Sequence, residues 1–190
     1  MKSYTHGPHD VDVLISGIGM VATAVWCSRT LALAAYNLAL NFGVCGSFDP
    51  ALAPGRVVHV VSDRIAELGA EDGDAFLTME QLGLAADGEC INPSPPANVG
   101  LNGLPPVRGI TVNTVHGNDR SIAEMTRLFA PQVESMEGAA FMYACITSGV
   151  AFAQVRAVSN VVERRNRQAW KIGEAIDTLG RTGLSILSSV

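Results

Sequence analysis

Glu134 and Glu137 bracket Ser135-Met136 in the stretch VESMEGAA, and further along Ser159-Asn160 closes the apolar run Val150–Val158. A carboxylate can hold both hydroxyls of a sugar diol through charge-assisted hydrogen bonds. An asparagine amide offers a donor and an acceptor side by side, which suits the N7/O6 edge of a 6-oxopurine. Met136 would give the sugar an apolar wall. Together these residue types describe a nucleoside pocket. Each glutamate also has a plainer use, because a carboxylate at this point opposes the positive end of a helix over Ala139–Ala144.

Other residues compete for attention. His116 ends a β-branched run and is the one histidine placed for chemistry, with a structural role equally open; His59 reads as core, and His6 and His9 lie in a polar lead. Arg164, Arg165 and Arg167 follow Asn160, and a guanidinium pairs bidentately with a carboxylate. Those arginines equally suit a solvated helix start, or partners in Glu163 or the acidic Glu71–Asp74 segment. Gly17-Ile18-Gly19 lies between a strand pattern and a helix pattern. Ala22 replaces the third glycine of a dinucleotide fingerprint, and no acid ends Asn37–Val44, so a nicotinamide site is excluded. A tight turn facing at most a phosphate or a ribose remains. There is no G-x-S-x-G elbow for a serine hydrolase.

The elements that must position these groups follow from periodicity. Val11–Ser16, a helix from Met20 to Ala35 and Asn37–Val44 read as a βαβ unit with two parallel strands. Arg56–Ser62 and Val107–Thr114 are further strands, and Asn118 or Asp119 caps a helix ending near Phe129. Val150–Val158 is a buried strand and Gln168–Leu187 a last amphipathic helix. Between Asp63 and Pro106 regularity fades; ELGAEDGDAF is acidic and NPSPPANVGLNGLPP reads as loop, of the kind that serves a site or an interface.

The chain has 190 residues, 48% hydrophobic and 16% charged, which fits one α/β domain with strands buried on both faces. A net charge of -5 without a basic run argues against a nucleic-acid partner. No segment has the apolar length of a membrane span, and the opening residues lack a signal peptide's apolar region. Cys27, Cys45, Cys90 and Cys145 are scattered, which predicts free thiols in a reducing cytoplasm and no zinc. The apolar composition predicts a homodimer or larger homo-oligomer.

VLISGIGMVATA, NFGVCGSF, VESMEGAA and VRAVSNVVE, in that order, resemble the purine nucleoside phosphorylase/nucleosidase superfamily. ELGAEDGDAF, TVNTVHG and SNVVERRNRQAW resemble its futalosine hydrolases in particular, and the likeness runs from about Asp10 to the C-terminus. It implies a three-layer α/β/α sandwich around a mixed, largely parallel sheet. It also implies hydrolysis of the N-glycosidic bond of futalosine in menaquinone biosynthesis, releasing hypoxanthine, with neither a metal nor an organic cofactor. Another purine nucleosidase or phosphorylase, or a chain that only binds a purine, is the alternative. By the resemblance, Met136 and Glu137 match the Met-Glu pair whose glutamate binds ribose. Asn160 takes the place of the aspartate of adenine-specific nucleosidases and bonds hypoxanthine. Cys45 and Gly46 fall on the base-contacting turn, with Ser159 and His116 also at the substrate. Val44 stands where phosphorylases carry a phosphate-binding serine, so water is the expected nucleophile. Arg164 and Arg165 are candidates for the far carboxylate of futalosine. Family members open with a strand followed by a water-activating acid; here the start is MKSYTHGPHDVDVLISGIG. The expectation is one nucleosidase-like domain over 1–190, N-terminally truncated relative to the family.

Overall fold

The computed structural model describes residues 1–84, 88–93 and 95–189. In chain order the elements are β1 (Lys2–His6), β2 (His9–Val13), α1 (Met20–Leu33), β3 (Ala39–Ser47), β4 (Val57–Ile65), β5 (Gly69–Asp72), β6 (Ala75–Thr78) and β7 (Glu89–Ile91). There follow α2 (Val99–Asn102), β8 (Pro106–Thr111), α3 (Asp119–Phe129), β9 (Val133–Ser135), α4 (Gly138–Ser148), β10 (Phe152–Val161) and α5 (Ile172–Leu187).

Six strands form one sheet in the order β10-β3-β9-β8-β4-β7. Strand β10 also pairs antiparallel with β4, Gln154–Ala157 against Val57–Val60, so β3, β9, β8, β4 and β10 close into a ring. Strand β7 continues the same edge of β4 at Ser62–Arg64. The β10–β3, β4–β8 and β8–β9 pairings are parallel and the other three antiparallel. The mixed central sheet flanked by helices is the expected fold, though less parallel than expected. Its closure on itself is not visible in periodicity, because ring closure is a property of strand partners rather than of any one strand.

Burial on both faces explains the apolar reading of β10, in which every residue from Phe152 to Ser159 is buried. Phe152 and Val158 join Cys45, Val58, Val60, Phe141 and Met142 in the cluster covered by α4, with α1 packed outside it. The Phe141 and Phe152 rings meet edge to face at 5.9 Å. The alternate residues Ala153, Val155 and Ala157 pack with Ala175, Leu179 and Ile186 of α5. A third cluster joins Met125 of α3 to Ile110 and Val112. Asn118 caps α3 as expected, its side chain accepting from Arg120 N at 2.9 Å.

Four expectations need correction. The βαβ unit does not form: β2 pairs antiparallel with β1 in a separate hairpin, turned at Gly7-Pro8 with Gly7 at φ +58°. Residues Leu14–Gly17 carry no strand, and Tyr36 ties the hairpin down by donating to Asp12 Oδ2 at 2.7 Å. A local two-residue turn captured the apolar alternation that read as a sheet strand. The acidic segment is the β5–β6 hairpin rather than irregular chain, and β7 and α2 also lie within Asp63–Pro106, of which residues 85–87 and 94 fall outside the described residues. The Val150–Val158 strand runs on to Val161, so Ser159 and Asn160 lie within it. The last helix begins at Ile172, after a 3-10 turn at Arg167–Ala169.

Gly138 opens α4 directly against Asp63 Oδ2 and the Gln154 amide, both of which a methyl group there would strike. Gly138→Ala is therefore expected to lower stability by roughly 1–3 kcal/mol through overpacking. Chemical denaturation of the two proteins checks this.

Candidate active site

Glu137 sits at the turn between β9 and α4, and its neighbours are pinned. Ser135 Oγ accepts from Gly138 N at 3.2 Å, and Thr111 Oγ1 accepts from Ala139 N at 2.7 Å. Thr111 in turn donates to Asp63 Oδ1 at 2.9 Å, while Gln154 Nε2 donates to Asp63 Oδ2 at 2.9 Å. Asp63 is fully enclosed, and burial pushes its pKa up to about 6 against the opposing hydrogen bonds from Gln154 and Thr111. These bonds join β4, β8 and β10 to the first turn of α4 and set where Glu137 stands.

The Glu137 carboxylate accepts from Gly19 N at 3.0 Å and lies 3.9 Å from Arg156 Nη1, with its side chain 21% exposed. The Gly17-Ile18-Gly19 turn, with both glycines at positive φ, thus delivers an N–H to this carboxylate. Arg156 escaped the sequence reading. It is buried on β10 beside Gly43, where any side chain would strike the guanidinium. Burial pulls its pKa below the ordinary value, with Glu137 the largest opposing influence. Its Nε and Nη2 have no hydrogen-bond partner among the described residues. The available signal was a lone cation within the strand pattern FAQVRAVS.

The second half of the site depends on a bulge. Register between β10 and β3 shifts between Val158 and Asn160, so that Arg156 opposes Gly43 while Asn160 opposes Gly46. Side chains alternate across a strand, and the extra residue turns Asn160 away from the face that Arg156 occupies. Gly46 in turn opposes Glu134 on β9. A Cβ on Gly46 would lie 3.3 Å from Asn160 Nδ2 and 3.4 Å from Glu134 Cγ. Asn160, Gly46 and Glu134 therefore form one row across three strands, closed over the glycine by Val162, whose Cγ2 lies 2.9 Å from where a Cβ would stand.

Beside that row, Ser159 Oγ lies 2.8 Å from Asn160 Oδ1 and 3.1 Å from the Cys45 carbonyl, and its single proton serves one acceptor at a time. Asn160 Nδ2 donates to Val161 O at 3.0 Å. Burial pushes the Cys45 thiol up to about 12, so it stays protonated and Cys45 offers its carbonyl instead. Glu134 does not cap α4. Its carboxylate accepts from His116 N at 3.1 Å and lies 2.6 Å from His116 Nδ1. Met136 is half-buried in the same turn as Glu137. Arg164 and Arg165 are exposed; Arg165 N donates to Gly117 O at 3.2 Å, and its guanidinium stacks 5.4 Å from the Trp170 ring. Among the described residues no group of His, Cys, Asp and Glu side chains could hold a metal ion, and no helix is long and apolar enough to cross a membrane.

The sequence profile of the phosphorylase superfamily matches residues 3–188. The chain belongs to that superfamily. Within it the likeness is to futalosine hydrolases: 35% identity to that of Acidothermus cellulolyticus, over 88% of this chain and 71% of that protein. The futalosine hydrolase of Streptomyces coelicolor is 33% identical over 90% of this chain and 76% of its own length. The fold matches that of futalosine hydrolase from Helicobacter pylori strain 26695 with a TM-score of 0.76 at 12% identity, covering 98% of this chain and 82% of that one.

The pKa of Asp63 lies above its ordinary value of 3.8, so its contribution to stability is complete below that pH and is lost as pH rises through about 6. Asp63→Asn, which does not titrate, should gain on the unsubstituted protein by on the order of 3 kcal/mol between pH 4 and pH 7. Urea unfolding across that range would show a constant difference instead if the carboxyl were unperturbed.

Proposed function

We propose that this chain hydrolyses the N-glycosidic bond of futalosine, releasing hypoxanthine and dehypoxanthinyl futalosine, as a step of menaquinone biosynthesis. The observation that carries this reading is a carboxylate at Glu137 held by Gly19 N and beside Arg156, with the Asn160 amide further along the strand that carries Arg156, in a chain similar to futalosine hydrolases. Two Glu137 oxygens facing a ribose diol, with Met136 as the apolar wall, would hold the sugar. As the C1′–N9 bond breaks, the sugar gains oxocarbenium character and the electron pair leaves on the purine. Water adds to C1′ and gives up a proton to solvent, N7 of the departing purine takes one from solvent, and Asn160, oriented by Ser159 and Val161, accepts from that N7–H and donates to O6. Cys45, Gly46 and His116 frame the base. Val44 packs toward the α5 cluster and offers no hydroxyl to a phosphate, which favours water as nucleophile. Arg156 supplies the counter-charge to Glu137, and its two unpartnered donors suit an oxygen at the sugar. Arg164 and Arg165, on the exposed segment beyond Asn160, are assigned the aromatic carboxylate at the far end of futalosine.

The deciding assay follows base release from futalosine, inosine and 5′-methylthioadenosine, with and without phosphate. Phosphate-independent release of hypoxanthine from futalosine, falling roughly 10²–10³-fold in Glu137→Gln, is the expected result. Adenine as the preferred product, or a strict need for phosphate, would replace this reading with an adenine nucleosidase or a phosphorylase.

The single domain over 1–190 functions as a homodimer or larger homo-oligomer in the cytoplasm. Four free thiols suit a reducing compartment. Val21, Val25 and Trp26 of α1 and Tyr143 and Ile146 of α4 are exposed on two helices that pack together, an apolar surface suited to a second copy. Sedimentation should give a multiple of 20.0 kDa, and Val25→Glu should shift it toward the single-chain mass.

A further inference from the structure

We infer that Thr111 is a positioning residue for the carboxylate assigned to the sugar: by capping α4 from a neighbouring strand, it keeps Glu137 from capping that helix itself. The inference rests on the nucleosidase reading above. The first N–H groups of a helix have no partner within it, and an acceptor on the residue at the cap position normally takes one of them. A carboxylate there is also drawn inward by the positive end of the helix. Glu137 holds that position in α4, yet its side chain makes no capping hydrogen bond. It turns instead to Gly19 N at 3.0 Å and towards Arg156, with its side chain 21% exposed.

Two side chains from outside the helix do the capping. Thr111 Oγ1 on β8 accepts from Ala139 N at 2.7 Å, and Ser135 Oγ on β9 accepts from Gly138 N at 3.2 Å. The threonine is the firmer of the two, because its one proton is committed to Asp63 Oδ1 at 2.9 Å and leaves a lone pair for the amide. Donation to a carboxylate also strengthens the hydroxyl as an acceptor. Gln154 Nε2 holds the other oxygen of Asp63, and neither Asp63 nor Thr111 is more than 1% exposed, so the cap lies away from water. Without the hydroxyl, Ala139 N would be a buried donor lacking its acceptor. It is the second amide of the helix, one of the two that a side chain at the cap position reaches. Capture by that amide would withdraw the Glu137 carboxylate from Gly19, from Arg156 and from a ribose diol together.

The test follows base release from futalosine and, by calorimetry, the binding of inosine and 2′-deoxyinosine. It compares the unsubstituted protein, Thr111→Val, Thr111→Ser, Glu137→Gln, and Thr111→Val combined with Glu137→Gln. Valine matches threonine in shape without the hydroxyl, whereas serine keeps it. Thr111→Val should lower kcat/KM on the order of 10²-fold, the scale of a small misplacement at the reacting groups. Thr111→Ser should keep most of the rate. In the Glu137→Gln background the valine should cost nothing further, because residues acting as a unit are not additive. The preference for inosine over 2′-deoxyinosine, which a diol-binding carboxylate creates, should shrink in Thr111→Val and persist in Thr111→Ser. If Thr111→Val does not fold, Ser135→Ala, which strips Gly138 N of its acceptor, and Ser135→Thr take the two places with the same pattern expected. No loss, a loss shared in full by the hydroxyl-keeping variant, or one that multiplies with that of Glu137→Gln overturns the inference. Futalosine left intact by the unsubstituted protein would overturn the functional reading instead. The inference then stands if the inosine preference falls only where the hydroxyl is removed, and fails if that preference is absent or unmoved.

Discussion

A guanidinium buried in a ring of β-strands is tolerable only with counter-charge close by, and the position of Arg156 constrains much of what surrounds it. Glu137 provides that counter-charge from the turn before α4, at 3.9 Å. Asp63, enclosed on the neighbouring strand, is also close enough to influence the arginine. Room for these groups comes from glycines: Gly43 beneath the guanidinium and Gly138 against Asp63. The same charge balance that makes the interior acceptable holds the Glu137 carboxylate in place. Stability and chemistry share one set of bonds here, because moving Glu137 would leave Arg156 without its nearest partner.

The position of Asn160 is set by a different constraint, strand register. Without the shift between Val158 and Asn160, the asparagine would fall on the face of Arg156 and oppose Ser47 rather than Gly46. A one-residue bulge re-aims a single side chain while leaving the strand paired on both sides of it, at far lower cost than rebuilding a loop. Arg156 and Asn160 thus follow one another along a single strand yet face opposite sides of it. Strand β3 mirrors this arrangement, with Gly43 beside the arginine and Gly46 beside the amide.

Loop geometry fixes the surroundings of His116. The 115–117 segment is held from below by Glu134 and from the side by Arg165, whose backbone N–H ends on the Gly117 carbonyl. Arg165 also stacks on Trp170, so the polar run that follows β10 is drawn back over the site. Glu137, for its part, accepts from Gly19 N, which couples the start of α1 to this carboxylate.

Much of this protein was legible in its sequence, for local reasons. The strands β3, β4, β8 and β10 and the helices α1, α3 and α4 follow from apolar period, caps and breakers, which act over neighbouring residues. Asn118 as a cap and His59 as core belong to the same class. The motifs VESMEGAA and VRAVSN carried the superfamily, and the comparisons agree with it. What only tertiary structure decided are the facts that need two distant segments at once. The first apolar run paired with its own N-terminal neighbour because a Gly-Pro turn was nearer than any sheet edge. Arg156 looked like an interruption of a strand until Glu137 was placed beside it. Glu134 looked like a cap until His116, on another loop, took both its oxygens. The bulge that aims Asn160 leaves no trace in composition, since it is a relation between two strands. Side-chain chemistry can be read along a chain, but partnership between elements is set by the closure of the sheet.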